Sequence, residues 1–249
     1  MFGVHVETID YNLPVDAITR KPLFAFSVNR SIRENYKGPL LKTKSGVDIT
    51  SENIASHVGQ QINRIYDQKA KHGYVDKTCN SDTGPTLGVD EDGKFYLQFA
   101  EDTSFLIDIH GDFSDAGFMI VCSSEGFGQH KTFRTFGQTH EMSFVLGSAY
   151  MRFHSYEIPE PLSDEVFGSI DYPSQIKNGY IMGIEGGRSY LRGVRGEHGT
   201  GFSSPYSYNF FELGGFSGRI YEFVACDFSI PKASIPEIFD DWNSFYSLT

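Results

Sequence analysis

The chain lacks any run of about 18 apolar residues, so it encodes no helix of the kind that spans a bilayer. It is also short of positive charge. Its 21 Lys and Arg stand against 32 Asp and Glu, a formal net charge of −11. General nucleic-acid binding needs a basic surface, so no nucleic-acid partner is expected. The acidity does little beyond keeping a chain soluble and discouraging anionic partners. Cysteine is scarce: Cys79, Cys122 and Cys226 are odd in number, widely spaced and without a CxxC pair. That argues against a disulfide framework and a Cys-rich zinc site. Cys122 and Cys226 lie in apolar, strand-like runs and read as small buried hydrophobes. The eight histidines form neither HxH nor HExxH, so zinc hydrolase chemistry has no support. A GxSxG elbow and a phosphate-cradling loop are missing as well. The first ten residues have no basic start and no apolar core, unlike a signal peptide. Synthesis in a reducing cytoplasm is the expectation.

What the chain does have is aromatic residues and turns. Aromatics make up 15%, with 22 Phe and 14 Tyr beside 26 Gly, a composition suited to pleated, half-buried surfaces. Strand patterns recur at 94–100, 104–110, 116–122, 131–137, 142–146, 149–157, 179–184, 188–194, 207–213 and 218–226, most bounded by Gly, Asp or Ser. Many short strands with turn punctuation indicate a sandwich or jelly roll. Residues 54–65 carry a modest helical pattern, while 67–86 and 158–178 read as loops. Residues 1–22 read as an arm packed on something else, and 23–249 as one domain. Near the end, Arg219 to Val224 roughly alternate polar and apolar, the period of a half-buried strand. Ser234 with Glu237 has capping-box spacing, and Ile235, Ile238, Phe239 and Trp242 follow at helical intervals. This closing helix is expected to dock on the sandwich edge.

Four further patches carry a resemblance. They are Ala25-Phe-Ser-Val-Asn-Arg30, Tyr36-Lys-Gly-Pro39 leading to Leu41-Lys-Thr-Lys-Ser-Gly-Val-Asp48, Ile65-Tyr-Asp-Gln68, and Pro85 followed by Gly93-Lys-Phe-Tyr-Leu-Gln-Phe99. In this order, with the closing strand and helix, the chain resembles the concanavalin A-like, laminin-G-like lectin superfamily. The branch is that of arabinofuranosidase-type domains found in phage tail fibres and other virion proteins. Ile65 stands where that branch has Trp. The resemblance implies an all-β, concanavalin A-like jelly-roll β-sandwich with a short C-terminal helix and an N-terminal arm. It implies a virion structural protein (fibre, spike or capsid decoration component) that attaches to host-surface glycan. Its partners would be other virion proteins through the arm and further copies of itself in a homo-oligomer. A purely structural virion adaptor is the alternative, and a glycoside hydrolase of arabinofuranosidase type ranks below both. In Tyr66-Asp67-Gln68 the aspartate is expected to cap backbone in a turn, with Tyr66 filling the core above it.

Three constellations are candidates for chemistry. Glycoside hydrolysis requires two carboxylates roughly 5–9 Å apart, and Glu185 and Glu197 both lie in glycine-flanked turns. Ordinary hairpin turns with solvated charges are the preferred reading of both. Calcium is the one cofactor the acidic loops admit, through Asp90 and Asp92 or through Asp108 and Asp112; otherwise no cofactor is expected. Asp92-Gly93, between two strand runs, reads better as a hairpin turn. The loop at 193–208 mixes Gly, Ser, Tyr and Arg, the composition of adaptable recognition surfaces. Within it Arg195, His198, Tyr206 and Tyr208 are the carbohydrate-binding candidates.

Overall fold

Phe95-Tyr-Leu-Gln-Phe99 alternates buried and half-buried side chains, as a strand with one face on a core must. The run Phe118-Met-Ile-Val-Cys122 does not alternate. Every one of its side chains is fully buried, so its strand needs cover on both faces. The computed structural model describes residues 24–30, 37–68, 74–78, 84–112, 116–126, 130–136, 140–146, 150–155, 165–169, 175–185, 188–194, 199–202, 207–226 and 229–248. The expected arm, 1–22, lies outside them.

Two antiparallel sheets stack face to face. One runs β16 (Gly199–Phe202), β15 (Arg188–Gly193), β14 (Asn178–Glu185), β9 (Ala116–Ser124), β18 (Gly218–Cys226), β7 (Phe95–Phe99) and β6 (Thr86–Val89). β1 (Phe24–Ser27) completes its eight strands by pairing with the second half of β18, beyond the stretch that pairs with β7. The other sheet has ten strands. In order they are β13 (Glu165–Ser169), β12 (Tyr150–Ser155), β11 (His140–Leu146), β10 (His130–Phe136), β17 (Ser207–Gly214), β8 (Ser104–Asp112), β5 (Tyr74–Thr78), β4 (Ile62–Tyr66), β2 (Leu41–Thr43) and β3 (Asp48–Ile49). Between the sheets lies the main core, where Phe24, Phe26, Phe118, Ile120, Cys122 and Phe223 of one sheet meet Leu41, Ile65, Phe105, Ile107, Phe144 and Leu213 of the other. This is the expected all-β jelly-roll sandwich with its closing helix.

Some local readings are corrected. The helical pattern at 54–65 resolves into a single 3-10 turn, Ile54–His57, followed by β4. Pairing between β2 and β4 slips between Lys42 and Thr43, so Ile62 and Ile65 both reach the core although three residues apart. A bulge thus imitates helical spacing. The loops read at 67–86, 158–178 and 193–208 contain β5, β13 and β16, each only four or five residues long and polar or glycine-bearing.

The third layer is the helix α1 (Ile235–Tyr246), which lies on the outer face of the eight-stranded sheet and not on its edge. Ile235, Ile238, Trp242 and Tyr246 pack there with Met119, Val121, Ile181, Val224 and Cys226. Trp242 rests on Gly179: a Cβ at that glycine would stand 2.3 Å from the indole. Ser234 ends a 3-10 turn in helical conformation and makes no side-chain cap bond. The capping box does not form, because a cap side chain reaches back only from extended backbone.

A bulge in β18 between Ile220 and Glu222 turns both Tyr221 and Glu222 toward this outer layer. Glu222 and Arg30 are fully buried there as an ion pair, with Arg30 Nε to Oε2 at 2.8 Å and Nη2 to Oε1 at 3.2 Å. Trp242 Nε1 donates to Oε1 at 3.1 Å, and the Tyr246 hydroxyl to Oε2 at 2.8 Å. Arg30 reaches Asp241 at 2.6 Å and lies over the Phe245 ring. Burial opposes the charge on Arg30, but Glu222, Tyr246 and Asp241 together outweigh it, and the guanidinium is held more firmly protonated than usual. Burial, and then the Glu222 charge, push Tyr246 well above the ordinary phenol value. One carboxylate thus joins the opening strand, the closing strand and the helix.

Candidate functional site

The sequence candidates fall at three places. The first is the β14–β15–β16 ribbon with the crossing to β17. Glu185 ends β14 directly opposite Arg188. Glu197 lies outside the described residues, as do Arg195, His198 and Tyr206. The residues that flank that gap, Val194 and Gly199, follow the other end of β15, whose six residues span roughly 16 Å. Tyr208 stands in β17 opposite Gly111 of β8; Asp112 is opposite Ser207 and Asp108 opposite Phe210. The pairing of β8 with β17 thus brings the backbone of a binding candidate beside two of the metal candidates.

The second place is the turn between β6 and β7. Asp90 Oδ1 accepts the backbone N–H groups of Asp92 and Lys94, and Gly93 takes φ +76°, where a side chain would be strained. This is the hairpin reading of Asp92-Gly93. The Lys177 ammonium lies between the other carboxylate oxygens, 2.8 Å from Asp90 Oδ2 and 3.0 Å from Asp92 Oδ2. A cation is thus already supplied where calcium was considered. Among the described residues no group of three or more His, Cys, Asp or Glu side chains is placed to hold a metal. The Tyr221 hydroxyl is hydrogen-bonded to Asp90 and Arg219, and burial raises its pKa. Arg219 covers the Tyr96 ring at 4.7 Å. Lys94 sits 3.8 Å above Phe245, and desolvation followed by the neighbouring Lys177 charge lowers its pKa. Lys177, Arg219 and Tyr221 escaped the sequence reading. The phase slip in β18 hides Tyr221, and Lys177 closes a stretch read as irregular.

The third place is β4, where the Tyr66-Asp67-Gln68 motif divides. Asp67 and Gln68 are buried and structural. Asp67 Oδ1 accepts Ala25 N–H at 3.1 Å, Gln68 N–H donates to Ala25 O at 2.8 Å, and Gln68 Nε2 donates to Ser27 O at 2.6 Å. Asp67 does cap backbone, but that of a strand 42 residues away. Tyr66 is not in the core. It is half-buried, and its hydroxyl donates to Asp48 Oδ1 at 2.8 Å. Lys42 Nζ approaches the same oxygen at 3.4 Å, and the Arg64 guanidinium also bonds the Tyr66 hydroxyl.

Neither a family model nor a curated protein matches the chain. Solved structures do. Domain 4 of a GH43 extracellular arabinanase from Geobacillus stearothermophilus, in complex with arabinotriose, superposes with a TM-score of 0.52 at 10% identity. The match covers 88% of this chain and 98% of that domain. The binding domain of botulinum neurotoxin serotype D gives a TM-score of 0.51 at 7% identity, over 71% of this chain and 49% of that one. This chain therefore spans about half of the toxin structure. At such identities the likeness is one of fold, that of a β-sandwich.

Proposed function

We propose that the chain is a carbohydrate-binding β-sandwich that presents itself to cell-surface glycan as part of a virion, in the manner of a fibre, spike or decoration component. The observation that carries glycan binding is the likeness over 98% of a domain solved with arabinotriose. The virion setting rests on the motifs at Ala25, Tyr36, Tyr66 and Gly93, and the 1–22 arm is its attachment segment toward other virion proteins. Self-association fits a weak single site, since multivalent display raises avidity without new contacts. The 193–208 loop supplies the recognition residues, with Tyr206 and Tyr208 stacking on sugar rings and Arg195 and His198 bonding hydroxyls.

The test is a glycan array read with the labelled full-length chain, together with its native mass by light scattering. An oligomer that binds one glycan class, and loses about tenfold or more in affinity on Tyr206→Ala or Tyr208→Ala, supports the reading. A monomer silent on every glycan sinks it and leaves the structural adaptor.

A further inference from the structure

The two sheets differ in what covers their outer faces. Helix α1 occupies that of the eight-stranded sheet. At the β3–β2–β4 end of the ten-stranded sheet, the outward side chains are instead polar, aromatic and partly solvated. Lys42 stands opposite both Asp48 and Arg64 in register, and Arg64 and Tyr66 are two residues apart on one strand, hence on one face. Half of the Asp48 side chain's surface and 30% of Lys42's remain exposed. The Tyr66 hydroxyl joins the group by donating to Asp48 and bonding Arg64.

Three properties make this a recognition surface and not only a solvated edge. First, its backbone is fixed from beneath: Asp67 and Gln68, the next two residues, are buried and bonded to β1. A ligand meeting Tyr66 therefore spends little on ordering the strand that carries it. Second, an aromatic ring stands among a planar guanidinium, a carboxylate and an ammonium, so apolar area, donors and acceptors lie side by side. A sugar ring presents the same mixture, with C–H faces edged by vicinal hydroxyls. Third, Lys42 and Arg64 against the single Asp48 leave the cluster one positive charge, set within a chain that carries −11 overall. An acidic ligand meets Asp48 and the chain's own field, and a cationic one meets Lys42 and Arg64, so a neutral ligand fits best.

We infer that Tyr66, with Arg64, Asp48 and Lys42, forms a second binding surface for a neutral oligosaccharide, on the outer face of the ten-stranded sheet and in addition to the 193–208 loop. The inference rests on the carbohydrate-binding reading and adds to it a place and a class of sugar. The ring stacks on the C–H face, while Asp48 accepts hydroxyl hydrogens and Arg64 and Lys42 donate to hydroxyl oxygens.

The test is an array of neutral oligosaccharides, arabinotriose included, beside sialylated ones, read with full-length wild type and with Tyr66→Ala, Arg64→Ala, Tyr66→Phe and Tyr206→Ala. Each variant's melting temperature is measured first, to confirm folding. The expected result is wild-type binding to a neutral glycan that falls about tenfold or more in Tyr66→Ala and Arg64→Ala. Tyr66→Phe should keep most of it, and Tyr206→Ala should leave a measurable residual. If wild type binds but the Tyr66 and Arg64 variants bind equally well, this site is overturned and the carbohydrate reading stands. The same holds if only sialylated glycans bind. If wild type binds no glycan, the parent reading fails and takes this surface with it.

Discussion

Replacing Glu222 by Gln tests the joint between the opening strand, closing strand and helix. The change preserves shape and removes one charge. Each carboxylate oxygen accepts from two donors: Oε1 from Arg30 Nη2 and Trp242 Nε1, Oε2 from Arg30 Nε and the Tyr246 hydroxyl. Whichever position the new amide nitrogen takes, it faces two donors, and Arg30 keeps a fully buried charge without its carboxylate. Removing one partner of a buried pair costs about 3–5 kcal/mol, a large part of the roughly 5–15 kcal/mol that holds a domain folded. For a chain of this size that lowers the melting temperature by roughly 6–20 °C. Trp242 is the only tryptophan and touches Glu222, so its emission reports the site directly during denaturation. Arg30→Met in the same background removes the stranded charge. Asp241 then loses its partner too, yet its side chain is 32% exposed and can be solvated. The double variant should therefore be more stable than the sum of the single changes by about 2 kcal/mol. A Glu222→Gln variant within about 1 kcal/mol of wild type, or a double variant whose losses simply add, refutes the account of this joint.

Gly179→Ala places a methyl 2.3 Å from the Trp242 ring, and overpacking of this kind costs about 1–3 kcal/mol; a lower melting temperature with shifted tryptophan emission is expected, and an unchanged melt would show that the helix yields freely. The phenols give a pH dependence. Tyr246 and Tyr221 both have raised folded-state values, so their contribution is complete below the unfolded value of about 10 and is lost as pH rises toward the folded values. Urea titrations from pH 8 to 11 should show stability falling above about pH 10, with a shallower fall in Tyr246→Phe; identical slopes would remove Tyr246 from the explanation.

The sandwich was legible because its strands announce themselves in period and punctuation. The patterns at 94–100, 116–122, 188–194 and 218–226 fall on β7, β9, β15 and β18 because each carries two or more core side chains that water would penalise heavily. β5, β13 and β16 hold only four or five residues each, polar or glycine-bearing, too short a run for period and punctuation to mark them. Bulges were the second source of error. One in β4 made Ile62 and Ile65 look helical, and one in β18 hid Glu222 inside an apparently regular alternation. A single inserted residue reverses which face every later side chain meets, and nothing in local composition marks it. At the candidate sites, Asp92-Gly93 was readable as a turn from its own residues. The Lys177 bridge was not, because it joins positions 87 and 85 residues apart. Tyr66 was misplaced for a related reason: its neighbours Asp67 and Gln68 are buried, and a three-residue motif does not reveal that its members face opposite ways.

The layering limits where a ligand can meet this chain. β9 is buried on both faces only because α1 covers the eight-stranded sheet, and α1 stays in place through Glu222, Trp242, Tyr246 and the indole seated on Gly179. That face is interior, and a ligand reaching it would have to displace the buried ion pair as well as the apolar contacts. Two kinds of surface remain beside it: the loops at the strand ends and the outer face of the ten-stranded sheet. Loops can reshape around a partner at the cost of ordering themselves, whereas a sheet face offers a fixed array whose ordering was completed in folding. Tyr66 belongs to the second kind, with its strand held by Asp67 and Gln68; the 193–208 segment, read from the sequence as a loop, would belong to the first. If both bind sugar, the sheet site should therefore discriminate by shape and tolerate little substitution at Tyr66, while the loop site should accept a wider range of glycans and tolerate changes at neighbouring positions.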